Sequence, residues 1–279
     1  MPAVNLSNPP FYRDSRGNRL IRWATTNIPA GHALWLCGPR EAGDQVVAVA
    51  PEYVRLPVPN EAKVAWTHVL QAPGPIRPDT AEMLQVLQEV ILLPSPANID
   101  TAIALDWYKI ADDAVDPWQW PNTETAELLR QGKYLNSYNP AEQRRAGLAL
   151  VERLCRVIEG HAGLRQATAV LDVPGHDSQR VSFGSRVAAS VARRLSLPVA
   201  ATSAQTEFRP PAKNADSTER LAAIKDKFFV PFDLRGHVAL VVDDVFKSGT
   251  SMSETARAAR AAGAMTVNGI VAVRTMKAR

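Results

Sequence analysis

Residues 238–251 read Val-Ala-Leu-Val-Val-Asp-Asp-Val-Phe-Lys-Ser-Gly-Thr-Ser, and this stretch constrains the fold more than any other. Five consecutive apolar residues leave a strand without a wet face. Such a strand belongs in a parallel sheet covered by helices on both sides. Asp243 and Asp244 stand at its C-terminal end, the end at which open α/β sheets bind ligands. The segment Lys247-Ser248-Gly249-Thr250-Ser251 then opens a helix predicted over Thr250–Ala262 and closed by Gly263. Backbone N–H groups at a helix start point outward, and the helix dipole favours an anion there. Gly249 admits close backbone approach, and the hydroxyls of Ser248, Thr250 and Ser251 add donors. The loop suits a phosphate, and the carboxylates suit a polyol.

The surrounding pattern agrees. Asn139-Pro140 is a helix start, a capping side chain followed by proline in the first turn, with the helix running to about Glu159. Strands are expected over Ala167–Val173, Leu197–Thr202, His237–Val242 and Thr266–Val273, and a helix over Phe183–Leu195. This alternation predicts an α/β domain over 140–279, a parallel twisted sheet with helices on both faces. Residues 1–139 are predicted to form a separate α+β domain or hood. In it, Gln45–Ala50 and Tyr53–Val58 read as strands and Ala81–Leu93 as a helix, with 94–140 irregular. Trp107, Tyr108, Trp118 and Trp120 cluster in that irregular stretch, as core, as a domain contact or as a platform for a flat ligand.

Charge is unevenly placed. Residues 150–279 carry 19 Lys+Arg against 12 Asp+Glu, and residues 1–149 carry 13 against 16. A basic half suits phosphates or nucleic acid. No apolar run approaches the roughly 20 residues of a membrane helix, and the N-terminus lacks a signal-peptide pattern. Cys37 and Cys155 form neither a metal motif nor a disulfide framework. A cytoplasmic protein without a membrane partner is expected.

The strand, acid pair and Ser-Gly-Thr-Ser loop resemble the signature of the type I phosphoribosyltransferases, and the similarity extends over about residues 140–279. Within that family the chain looks most like the competence-type (ComF-like) branch. Val173-Pro174-Gly175-His176 resembles that branch's Val-Pro-x-His segment, and Arg180 with Phe183-Gly184-Ser185 falls where the branch has basic residues and a Gly-Phe-Asn-Gln stretch. The resemblance implies that Asp243 and Asp244 hold the ribose 2′ and 3′ hydroxyls and that Lys247–Ser251 cradle the 5′-phosphate of phosphoribosyl pyrophosphate (PRPP). It places Gly175, His176 and Arg180 on the pyrophosphate side and Lys213, Glu219 and Arg220 on a mobile flap. Mg²⁺ would be held mainly through PRPP, with no direct protein ligand. Lys247 departs from the family's usual threonine, the branch's zinc ribbon is absent, and asparagine is missing from the Gly-Phe-Asn-Gln position.

The function implied is transfer of phosphoribose to a nucleobase or related nucleophile, with residues 1–139 as the source of acceptor recognition. Two other readings stand beside it: a non-catalytic PRPP-binding regulatory protein, and a competence-type factor that processes nucleic acid. The fold commonly dimerises, so a homodimer is a further expectation. A receiver-like phosphorylation domain does not fit, because its acid pair follows an early strand.

Overall fold

A computed structural model describes residues 18–276 apart from 30, 113, 135–138, 176–180 and 206–223. Eleven strands and six α-helices are found among the described residues. The first unit is an antiparallel sheet of order β1-β2-β4-β3, built from β1 (Arg22–Ile28), β2 (Gly31–Cys37), β3 (Val54–Leu56) and β4 (His68–Ala72). Helices α1 (Arg40–Val49) and α2 (Pro78–Glu89) pack beside it. The strand expected at Gln45–Ala50 is thus a helix. Its β-branched residues suggested extension, but Ala42, Gln45 and Val46 repeat at helical spacing and are among the residues it buries.

The second sheet has the order β5-β6-β11-β10-β7, made of β5 (Ile91–Leu92), β6 (Thr101–Trp107), β7 (Ala169–Asp172), β10 (Val238–Phe246) and β11 (Thr266–Arg274). It is parallel apart from the edge strand β5. Two-residue strands β8 (Ser203–Ala204) and β9 (Phe228–Phe229) pair separately. The strand expected at Leu197–Thr202 reduces to a single bridge from Val199 to Val170. Helices α3 (Glu124–Lys133), α4 (Pro140–Gly160) and α5 (Phe183–Arg194) cover one face, and α6 (Thr250–Ala261) covers the other. Ala126, Leu129, Leu150, Leu154, Val187 and Val191 fill the first face against Leu240 and Val242, whereas Met252, Ala256 and Ala259 lie on Ala239 and Val241. Each large side chain buried this way contributes about 1.5–3 kcal/mol.

Two expectations change here. Residues 94–140 are not irregular: they supply β6, nearly all buried, and α3, whose cap Thr123 accepts from the Ala126 amide. Because β6 pairs with β11 from Asn268↔Thr101 to Arg274↔Trp107, the parallel sheet crosses the expected boundary at residue 139. The helix start at Asn139 forms as a capping box, the Asn139 side chain accepting from the Glu142 amide at 2.9 Å and Glu142 accepting from the Asn139 amide at 3.3 Å.

A buried polar network ties α1 and the end of α4 to the parallel sheet. His161 Nδ1 accepts from the amides of Gly163 and Leu164, each at 3.2 Å, which leaves Nε2–H to donate to Gln45 Oε1 at 3.1 Å. Gln45 Nε2 in turn donates to the Ala102 carbonyl of β6 at 3.1 Å. Burial pushes the His161 pKa down to about 4. The unfolded chain therefore binds a proton at this side chain near pH 6.5 while the folded chain does so only near pH 4. Stability falls as pH drops through that window, by up to about 1.4 kcal/mol per pH unit and roughly 3 kcal/mol in all. Urea midpoints measured from pH 7.5 to 4.5 should show this slope in the wild type and a shallower one in His161→Asn. Equal slopes would mean that His161 does not couple folding to protons.

Candidate functional site

The site is built at the C-terminal end of the parallel sheet. Strand β10 continues four residues beyond the expected end at Val242, so Asp243 and Asp244 are strand residues, with Asp243 in register with Val271 and Val245 with Val273 of β11. Asp243 Oδ1 accepts from the Asp244 amide at 2.8 Å. The start of α5 comes close: a Cβ on Gly184 would stand 3.0 Å from Asp243 Oδ1. Ser182 caps that helix by accepting from the Ser185 amide at 2.9 Å. Burial, and then the neighbouring Asp244 carboxylate, raise the Asp243 pKa well above the usual carboxylate range. Like charges this close resist joint ionisation.

Downstream, the Thr275 amide donates to the Phe246 carbonyl at 2.9 Å and pins the end of β10. Lys247 is exposed. Gly249 is the N-terminal cap residue of α6 with φ +80°, and a Cβ there would lie 2.8 Å from the Phe246 ring. The Ser248 and Thr250 hydroxyls are 2.8 Å apart. Ser251 is half-buried in the first turn, which holds no acidic residue. The helix therefore presents its first N–H groups, which have no intrahelical acceptor, beside two mutually oriented hydroxyls. The next carboxylate on the helix, Glu254, is buried and bound to Arg257 at 2.8 Å, turned to a different purpose.

The other expected residues divide. Gly175 is half-buried three residues beyond Asp172, which is paired with Val242, so it leaves the sheet at the same end as the acid pair. His176, Arg180, Lys213, Glu219 and Arg220 lie outside the described residues. Of the four aromatics, Trp107 and Trp120 are buried. Trp120 Nε1 donates to the carbonyls of Asp112 and Val115, and Arg274 lies over the Trp107 ring at 4.9 Å. These two are core. Trp118 is exposed and Tyr108 is half-buried, so only they offer a surface.

One side chain at the site has no signal in the sequence. Lys133, the last residue of α3, places Nζ 2.5 Å from Asp244 Oδ2, across 111 residues of chain. Burial acts to lower the Lys133 pKa, but the attraction of the Asp244 carboxylate and the hydrogen bond to it outweigh that and hold it above its ordinary value. No local pattern marks this lysine, since only the packing of α3 on α4 and α5 brings it over the strand ends. A cavity of about 310 Å³ opens nearby between α3, α4 and α5, lined by Gly132, Leu148, Phe183 and Arg186, and none of the acid pair or loop residues line it.

Residues 182–279 match the family model of the phosphoribosyl transferase domain. The acid pair, the glycine loop and α5 all fall inside that span. No curated protein matches the chain. Among solved structures, the purine phosphoribosyltransferase of Pyrococcus horikoshii Ot3 is similar at 15% identity over 48% of this chain and 82% of that one, with a TM-score of 0.30. The orotate phosphoribosyltransferase of Aeropyrum pernix is 21% identical over 55% and 81%, with a TM-score of 0.34. The adenine phosphoribosyl transferase of Trypanosoma brucei, in complex with AMP, pyrophosphate and ribose-5-phosphate, is 12% identical over 67% and 87%, with a TM-score of 0.35.

Proposed function

We propose that this protein is a phosphoribosyltransferase that binds PRPP with Mg²⁺ and transfers its phosphoribose to a nucleobase or related nucleophile. The observation that carries the reading is the order along β10: two carboxylates at the strand end, then a left-handed glycine opening α6, inside the span matched to a phosphoribosyl transferase domain. The 5′-phosphate sits on the first-turn N–H groups of α6 with the hydroxyls of Ser248, Thr250 and Ser251. Asp243 and Asp244 accept hydrogen bonds from the ribose 2′ and 3′ hydroxyls. On this reading Gly175, His176 and Arg180 serve the pyrophosphate side, and Lys213 and Arg220 help to keep water from the reacting sugar.

Among the described residues no three His, Cys, Asp or Glu gather as a metal cage. The donor set at the site is two carboxylates, one already bound to Lys133. This fits a Mg²⁺ that arrives on PRPP and keeps most of its ligands there. When bound, the ion offsets the charge of the pyrophosphate.

The protein's part in the reaction is positioning and charge. The nucleophile's electron pair forms the new bond to C1, the C1–O pair leaves on pyrophosphate, and the nucleophile's proton passes to solvent. The acid pair holds the hydroxyls beside the ring carbon on which positive charge builds. Trp118, exposed, and Tyr108, half-buried, are the two of the four aromatics left with a surface on which a flat acceptor can stack.

The test is a panel of nucleobases incubated with PRPP and Mg²⁺, read as pyrophosphate release. Release with one base above the no-base rate supports transfer. Tight PRPP binding without release for any acceptor would instead favour the regulatory reading.

A further inference from the structure

The acid pair lies between two cationic or donor-rich features on opposite faces of the sheet. On one face α6 begins, with its N–H groups and hydroxyls. On the other, α3 ends at Lys133, whose ammonium binds Asp244. The Asp244 side chain is only 13% exposed, so a sugar hydroxyl reaching it must share or replace that ammonium. The Lys133 side chain is 36% exposed, so its stem packs while its ammonium can swing, and once its carboxylate is taken a nearby anion is its best remaining partner. Its four-carbon stem allows the move, because the helix end is fixed while the ammonium is not. The helix is held in place by Thr123, whose hydroxyl donates to the Trp107 carbonyl at 2.6 Å, and by the close fit of Gly132 on the Phe183 ring.

A sugar bound with its 5′-phosphate on α6 and its diol on the acid pair spans the strand ends from the α6 face toward the α3 face. Its C1 substituent is the part left to meet Lys133. We propose that Lys133 exchanges partners on binding: it neutralises Asp244 when the site holds no sugar, and turns to the pyrophosphate on C1 when the ribose diol takes Asp244. This rests on reading the acid pair as the ribose-diol site.

The test compares two probes that share diol and 5′-phosphate and differ at C1: PRPP with Mg²⁺, and ribose 5-phosphate. Each is titrated by calorimetry into wild type, Lys133→Met and Lys133→Arg. Lys133→Met should weaken PRPP at least tenfold and leave ribose 5-phosphate within threefold of wild type, or tighter. Lys133→Arg should keep PRPP within threefold. Equal weakening of both probes in Lys133→Met would mean that the lysine merely props the acid pair, and an unchanged PRPP affinity would mean that it never meets the ligand; either result overturns the proposal. Should Lys133→Met fail to fold, Lys133→Gln carries the same comparison. A wild type that binds neither probe would remove the acid-pair reading itself and this proposal with it, an outcome distinct from a lysine-specific failure.

Discussion

Replacing Gly249 with alanine should destabilise the fold by about 2–6 kcal/mol and abolish phosphate binding at the start of α6. Two costs add. A non-glycine residue at φ +80° is strained by roughly 1–3 kcal/mol. The new Cβ also meets the Phe246 ring at 2.8 and 2.9 Å and Pro96 at 3.4 Å. Phe246 is 5% exposed and packed among Met252, Trp107 and Val241, so its ring has nowhere to go. Overpacking of this kind costs about 1–3 kcal/mol. Gly236 supplies the control, because its φ is +77° and a Cβ there meets nothing within 4 Å. Denaturation midpoints should therefore fall further for Gly249→Ala than for Gly236→Ala, the difference measuring the clash alone. Equal losses would show that Phe246 yields and that the loop is not held by its ring.

The second large effect is chemical rather than structural. Asp243→Asn should keep the fold within about 1 kcal/mol and lower kcat/KM for PRPP about 10²–10³-fold, the scale seen when one well-placed polar group is removed from a reactive centre. The fold survives because the raised pKa already favours a neutral group at this half-buried position, and the oxygen of the new carboxamide can still accept from the Asp244 amide. Function is lost because the one oxygen of the carboxamide is taken by the Asp244 amide, and its NH2 turns a donor rather than an acceptor toward the sugar hydroxyls. Asp244→Asn should lose activity similarly and cost somewhat more stability, since it removes the ion pair to Lys133, whose 36% exposed side chain keeps that loss modest. Pyrophosphate release unchanged in either variant would exclude the acid pair from the reaction.

The part of this architecture that is legible in the sequence is the part whose signals are local. The run from Val238 to Val242 is apolar because both faces are buried, and its carboxylates and glycine loop follow within nine residues. Asn139 and Glu142 sit three apart because a capping box requires it. Gln45–Val49 is ambiguous because β-branched residues suit strands in isolation, and only burial of Ala42, Gln45 and Val46 decides for a helix. Strand β6 is a short apolar run that periodicity alone cannot separate from a buried helix segment. Its membership of the parallel sheet depends on pairing with β11 more than 160 residues away, information that no window along the chain contains. Lys133 is the extreme case: an ordinary lysine at a helix end becomes a site residue only through tertiary packing.

The central claim is that the acid pair and the α6 loop together form a PRPP site, and calorimetric titration of PRPP with Mg²⁺ into the wild-type protein and the double variant Asp243→Asn/Asp244→Asn tests it most directly. The account predicts one saturable site in the wild type with a dissociation constant on the order of micromolar, equivalent to about 8 kcal/mol, and no saturable binding in the double variant. A wild type that gives only heats of dilution, or a double variant that binds PRPP as tightly as the wild type, would contradict it.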